Sequence, residues 1–221
     1  MAAKSSYSVE PITRDDVQQV MELLKITFYK DEPMNRAIGL CDGGAPCLEL
    51  DDYCQHSMLE GMTYKAVDAE GNIAGVIISG DCPLTESIIE DMRTQTKNCK
   101  NLKFQKILHV LTRREEYSRL WERYPHDQHI VEVKVVATHP DWRKRGVMNA
   151  LLARTESAVK QKGIRLLRMD TSSAYSAMSA ERLGFTCVYR QKYSEIKIDG
   201  EILVEPSAPH LEDRVYVKEL F

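Results

Sequence analysis

The chain is expected to form one mixed α/β domain, and three features of its 221 residues predict this. Between Ile130 and Asp170 it runs apolar strand, amphipathic helix, apolar strand, the order of a βαβ unit with parallel pairing. In the first half, two β-rich runs are joined by Asp68-Ala69-Glu70-Gly71, whose turn chemistry makes an antiparallel hairpin. No internal repeat and no Pro/Gly/Ser-rich linker divides the chain, and its length supplies ample material for one packed core.

The elements follow in order. Apolar alternation from Tyr7 to Ile12 predicts a strand, and Thr13 with Asp16 three residues later is a helix-start signal. Val17, Val20, Met21, Leu24 and Phe28 recur at helical steps, giving a helix with one apolar face that ends near Lys30-Asp31-Glu32-Pro33. Pro33 cannot continue it, because it lacks an amide hydrogen and clashes with the preceding turn. Gly39 to Pro46 reads as loop and about Leu48 to Leu59 as a short helix. The hairpin strands are Met62 to Val67 and Asn72 to Ser79; Gly80 to Cys99 should hold a loop and a surface helix. Lys103 to Tyr124 has helical spacing. Then come strand Ile130 to Thr138, turn His139 to Arg145, helix Val147 to Lys162, strand Ile164 to Asp170, helix Tyr175 to Leu183, strand Phe185 to Tyr193 and a last strand near Arg214 to Lys218.

Composition narrows the function classes. With 43% hydrophobic and 29% charged residues, disorder and low complexity are excluded as overall descriptions. Thirty Lys+Arg against 33 Asp+Glu leave a net charge of −3, which gives no electrostatic reason to expect nucleic acid or an anionic membrane as partner. Any anionic ligand must be held by a local site. The six cysteines fall in no CxxC pair or Cys/His spacing, so reduced thiols and no metal site are expected. The opening MAAKSSYSVE has no basic flank before an apolar stretch, and no window approaches the roughly 20 apolar residues that span a bilayer. A cytoplasmic location is the expectation.

The densest chemical signal lies between Val135 and Asn149, where an apolar strand runs into a basic turn with one glycine and then directly into an amphipathic helix. Such a turn aims unpaired amides and the positive end of the helix dipole at one point, where a phosphate can sit, and Arg143, Lys144 and Arg145 add formal charge. An ordinary surface turn with a solvated basic cluster is the alternative. Neither GxxxxGK followed by Ser/Thr nor GxGxxG is present, which excludes a Walker loop and a Rossmann turn.

HPDWRKRGVMNALL, beginning at His139, resembles the coenzyme A diphosphate loop of the GNAT superfamily of N-acetyltransferases, whose pattern is Arg/Gln-x-x-Gly-x-Gly/Ala. Arg143 and Gly146 match; Met148 departs, standing where Gly or Ala is usual. Ser172-Ser173-Ala174-Tyr175-Ser176 ahead of Leu183-Gly184-Phe185 resembles the family's next segment, although the position of its frequent thiolate-protonating tyrosine is Ala180 here. Phe28-Tyr29-Lys30-Asp31-Glu32-Pro33-Met34-Asn35 is similar to the FxKDEPxN motif of insect-type arylalkylamine N-acetyltransferases, and Tyr64 to Val67 and Pro206 to His210 resemble the same group.

The resemblance implies a single GNAT domain over residues 1–221, with a mixed, mostly antiparallel sheet, a central splayed parallel pair and helices on both faces. It implies acetyl-CoA as acyl donor. Backbone groups of Val136, Ala137 and Thr138 would hold the pantetheine and thioester, and Arg143, Lys144, Arg145, Gly146, Val147, Met148 and Asn149 the diphosphate, with Ser173 on the same side.

The chemistry sets further demands. An alkylamine has a pKa of about 10 and arrives protonated, yet only the neutral amine attacks a thioester, so a group must accept its proton. The resemblance assigns that role to Glu32, with Asp31 beside it on the amine side; two solvated charges in a turn are the alternative. It places Ser172 and Ser176, four residues apart, near the departing thiolate, where a hydroxyl serves as hydrogen-bond donor or water relay; capping the helix is the other role for such serines. Tyr64 and His210 are candidates for the amine pocket, with ordinary core packing the alternative for Tyr64 and surface decoration for His210, while His139 reads as surface decoration. No cysteine sits in a motif for a covalent acyl-enzyme, so direct attack in a ternary complex is expected, by a monomer whose partners are a small amine and acetyl-CoA. Rivals are a polyamine or other amine acceptor, a longer acyl donor, and a non-catalytic coenzyme A binding module.

Overall fold

The computed structural model describes residues 6–221; the first five residues, part of the N-terminal stretch inspected for a leader, lie outside the described residues. After strand β1 (Tyr7–Pro11), the Thr13 amide and hydroxyl both donate to Asp16 Oδ2 at 2.8 Å, closing a single turn that leads into helix α1 (Val17–Ile26). The helix expected to run to residues 30–33 breaks at buried Thr27 (φ −122°, ψ −87°), whose hydroxyl donates to the Leu23 carbonyl at 2.6 Å and so competes with the backbone ladder. A short α2 (Phe28–Asp31) follows. Pro33 then pushes Glu32 into extended backbone (ψ 125°) and itself opens α3 (Pro33–Ala37), at the one position where a missing amide hydrogen costs nothing. Proline ends one helix as expected, and starts another that the periodicity did not reveal.

Helix α4 (Leu48–Met58) precedes the hairpin of β2 (Tyr64–Asp68) and β3 (Ile73–Pro83). Strand β3 continues through Gly80-Asp81-Cys82-Pro83, read from composition as loop, because each of these residues has a pairing partner between His129 and Glu132. Helices α5 (Ile88–Asn98), α6 (Leu102–Ser118) and α7 (Leu120–Arg123) come next; left-handed Arg119 (φ 44°) divides the single helix expected over 103–124. The second half matches the expected order: β4 (His129–Thr138), α8 (Val147–Gln161), β5 (Leu166–Thr171), α9 (Ala174–Arg182), β6 (Thr186–Lys192) and, after an unforeseen minimal hairpin of β7 (Lys197–Ile198) and β8 (Glu201–Ile202), β9 (Glu212–Glu219).

Seven strands form one sheet in the order β1-β2-β3-β4-β5-β9-β6, antiparallel except for β4–β5. That parallel pairing stops at Val133 and Met169, while β4 runs on to Thr138 and β5 to Thr171. The central pair is therefore splayed. Lys134 is the extra residue of a bulge: Ile78 faces Val135 and Ser79 faces Val133, with nothing opposite Lys134. The bulge switches the strand's faces. Val131 and Val133 pack in the core formed with α8, whereas Val135 and Ala137 pack in the core formed with α1, α3, α4 and α6. These two cores put helices on both faces of the sheet. All six cysteines are free thiols, and no helix among the described residues is long and apolar enough to cross a membrane.

Candidate active site

Where β4 and β5 part, the molecule opens into two cavities that share a wall. The outer cleft, about 710 Å³, is lined by Val135 to Thr138 of β4, by Arg143, Lys144 and Met148 of the following turn and helix, and by the serines at the start of α9. The inner cavity, about 280 Å³, is mostly apolar, with Phe28, Leu50, Tyr53, Phe104, Ile107 and Leu111 among its walls. Glu32, Ser172, Phe28, Lys134 and Asp170 line both, so Glu32 stands where the two meet.

The position of Glu32 follows from the local sequence. As N-cap of α3 it accepts the Asn35 amide on Oε2 at 2.6 Å, while Oε1 is buried without a hydrogen-bond partner. Burial pushes its pKa above the ordinary carboxylate value; the Ser172 hydroxyl, the Asn35 and Met34 amides and the charge of Arg114 pull the other way. A carboxylate tuned upward, with one oxygen free, is suited to taking a proton. Asp31 faces the other way: it is exposed, and it receives Arg143 at 2.6 Å across 112 residues of chain. The acidic pair and the cationic turn, read separately in the sequence, touch at the mouth of the outer cleft.

The turn itself has the geometry that suits an anion. Lys144 (φ 63°) and Gly146 (φ 81°) adopt left-handed backbone, and the first hydrogen bond of α8 runs from Ala150 to Gly146 at 3.1 Å. The amides of Val147, Met148 and Asn149 therefore have no helical acceptors and face outward at the positive end of the dipole. Arg143 and Lys144 line the cleft, as does the Met148 side chain. Arg145 does not: its guanidinium lies over the Trp142 ring, 5.2 Å from the centroid, and Trp142 packs edge-on against Tyr7.

On the opposite wall, Ser173 is the N-cap of α9, accepting the Tyr175 amide at 3.1 Å, and the Ser176 hydroxyl donates to the Ser173 carbonyl at 3.0 Å. His210 Nδ1 accepts the Ala174 amide at 3.2 Å, and its ring meets Tyr175 edge-on at 5.4 Å. Ser172, Ser173, Ser176 and His210 thus all reach the outer cleft, and Tyr175, not singled out beforehand, joins them. His139 accepts the Asp141 amide within its own turn and lines neither cavity. Tyr64 is a correction: it is buried in the core on the α8 side of the sheet, under the Arg154 guanidinium, and lines neither cavity. Strand alternation turns its ring to that face.

Sequence inspection missed the charged floor of the inner cavity. Arg114 grips Asp213 through two bonds of 2.8 and 2.5 Å and reaches Asp170 at 3.3 Å; Arg168 holds Asp170 at 2.8 Å and also pairs with Glu115. Burial works against the charged form of Asp170, but the two guanidiniums outweigh it and hold its pKa below the usual value. Tyr193 donates to Asp213 and to the Ser172 carbonyl at 3.4 and 3.3 Å, tying this network to the cavity junction. Apart from Arg168 and Asp170, two residues apart on β5, the partners lie 20 to 99 residues from one another, so no local pattern could expose the network as a whole.

Comparison with known proteins agrees with this geometry. The solved structure of arylalkylamine N-acetyltransferase 2 from Aedes aegypti superposes with a TM-score of 0.91 at 22% identity, covering 98% of this chain and 100% of that one. Drosophila melanogaster polyamine N-acetyltransferase, described as forming N-acetylagmatine, gives 0.87 at 20% identity over 97% of this chain and 100% of that one. Mosquito arylalkylamine N-acetyltransferase like 5b gives 0.87 at 24% identity, with coverage of 97% and 100%. These likenesses establish the shared fold. The family model described as acetyltransferase (GNAT) family matches residues 45–185, well over half of the chain, including β4, the basic turn, α8 and α9. The chain belongs to the acetyltransferase (GNAT) family.

Proposed function

We propose that this acetyltransferase moves the acetyl group of acetyl-CoA to the primary amine of an arylalkylamine such as dopamine, tryptamine or serotonin, by direct attack in a ternary complex. The observation that carries the reading is the place of Glu32, at the junction of an anion-accepting cleft and an apolar cavity of about 280 Å³. The diphosphate binds the free amides of Val147 to Asn149 with Arg143 and Lys144, and the thioester lies along the stretch of β4 that has left β5 while still pairing with β3, where amides on the open side stabilise charge developing on the carbonyl oxygen. The amine enters the inner cavity, passes a proton to Glu32 Oε1 and attacks the carbonyl carbon. The nitrogen of the adduct loses its second proton as the C–S bond breaks, and that proton reaches the departing thiolate through the hydroxyls of Ser172 and Ser176, the latter turning from the Ser173 carbonyl, so that amide and free thiol leave. Phe28, Tyr53 and Phe104 in the lining favour an aromatic body. A polyamine acceptor is the second reading, favoured by the carboxylates of Glu115, Glu132 and Asp170 in the same lining.

The test is a panel of aromatic amines, aliphatic amines and diamines assayed by free-thiol release with acetyl-CoA and longer acyl donors. Preferential turnover of arylalkylamines with acetyl-CoA supports the proposal. Acetyl-CoA binding by calorimetry with no amine consumed overturns it in favour of a binding module.

A further inference from the structure

The charged groups lining the inner cavity fall into two sets. Asp170 is held by Arg114 and Arg168, Glu115 by Arg168, and Lys134 by Glu60 at 2.8 Å. Among the described residues, Glu32 and Glu132 have no ion-pair partner within 4.0 Å. Glu32 is accounted for by the reaction; Glu132 is not.

Glu132 lines the inner cavity only, so it lies away from the cleft where the thioester is held. It stands on β4 with Gly80 opposite on one side and Arg168 on the other. Among the described residues, its one side-chain hydrogen bond is with the Cys82 thiol at 3.7 Å, and burial pushes that thiol's pKa up to about 12, so it remains a weak neutral donor. Nearby Lys134 is kept from Glu132 by Glu60, and Gly80 makes room for that pair: a Cβ there would fall 2.4 Å from Glu60 Oε2 and 2.9 Å from Lys134 Nζ. Burial raises the pKa of Glu132, Arg168 and Lys134 lower it, and Asp170 and Glu115 raise it. A carboxylate left short of donors in an apolar cavity is costly unless a ligand satisfies it.

Resting on the N-acetyl transfer proposed above, we infer that the acceptor is a two-ended amine: its primary amine meets Glu32, its apolar body fills the space between Phe28, Tyr53 and Phe104, and a hydrogen-bond donor at its far end binds the Glu132 carboxylate. The donor is a phenolic hydroxyl or a second cationic group, and the experiment separates the two. Steady-state kcat/KM is measured for tyramine against phenethylamine, and for agmatine against pentylamine, with the full chain and its Glu132→Gln and Glu132→Asp variants. A site built to bond such a donor rejects the analogue lacking it. In at least one pair the donor-bearing amine should be preferred about tenfold or more by the wild type. That preference should fall to about twofold in E132Q and be partly restored in E132D. The pair that shows this identifies the donor. No preference in either pair of the wild-type enzyme, a comparison that needs no variant, overturns the inference, as does a preference that survives in E132Q. If the wild type consumes none of the four amines or any arylalkylamine, the acetyl-transfer reading itself has failed, which is a different result.

Discussion

Replacing Glu32 with Gln separates its two roles. The amide keeps an oxygen that can accept the Asn35 amide, as Oε2 does at 2.6 Å, so the α3 cap survives while the proton acceptor is lost. An amine with a pKa near that of lysine, about 10.4, is neutral in roughly 4 molecules per 10,000 at pH 7, and a variant without a base depends on that fraction. The expected loss in kcat/KM at pH 7 is therefore about 2,500-fold, inside the range of about 100- to 10,000-fold for general base catalysis. The loss should shrink by about tenfold per pH unit up to about pH 10, as free amine takes over from the base. The wild-type acid limb should fall above the ordinary carboxylate range, because burial raises the pKa of Glu32. Stability gives an independent sign. A carboxylate whose pKa is raised by folding stabilises the fold below its ordinary pKa, and that contribution is lost as pH rises through the folded value. At pH 7 the Gln variant should therefore melt at or above the wild-type temperature, whereas Glu32→Ala, which also loses the cap, should lose about 1 kcal/mol. The assay is thiol release from pH 5 to 10 beside thermal melts. E32Q within threefold of wild type at pH 7, or with a parallel pH profile, refutes Glu32 as the base.

Three further outcomes follow from the geometry. Arg114→Met strands the fully buried Asp213 carboxylate and should cost about 3–5 kcal/mol by urea unfolding. Arg143→Ala should raise the KM for acetyl-CoA by about tenfold, with kcat changing far less. Its stability should stay within about 0.5 kcal/mol, because the broken pair with Asp31 is exposed. Tyr64→Phe, buried on the α8 side of the sheet, should leave the KM for the amine within about twofold, measured against the same panel.

Much of the site was legible before the fold was known because it is written in contiguous stretches. The turn from His139 to Gly146 carries its charge, its glycine and the start of α8 in one run, and free helix-end amides are a local consequence of that run. Asp31-Glu32-Pro33 likewise forces Glu32 into extended backbone by proline sterics alone, although the helix that Pro33 starts was not legible there. Boundaries were misjudged where distant partners decide: β3 runs on through Gly80 to Pro83 because β4 supplies its hydrogen bonds, and Tyr64 turns to the far core because of its strand register.

The amino-acid sequence by itself carried the order of the main strands and helices, the basic turn that opens α8, Glu32 as candidate base and the family likeness, since each depends on residues within a few positions of one another. Only the tertiary structure decided how they act together. The parting of β4 from β5 beyond Val133, the junction of two cavities at Glu32, the ion network from Arg114 to Asp213 and the unpaired carboxylate of Glu132 all join residues far apart in the chain. Long-range pairing and burial, not local propensity, hold them in place.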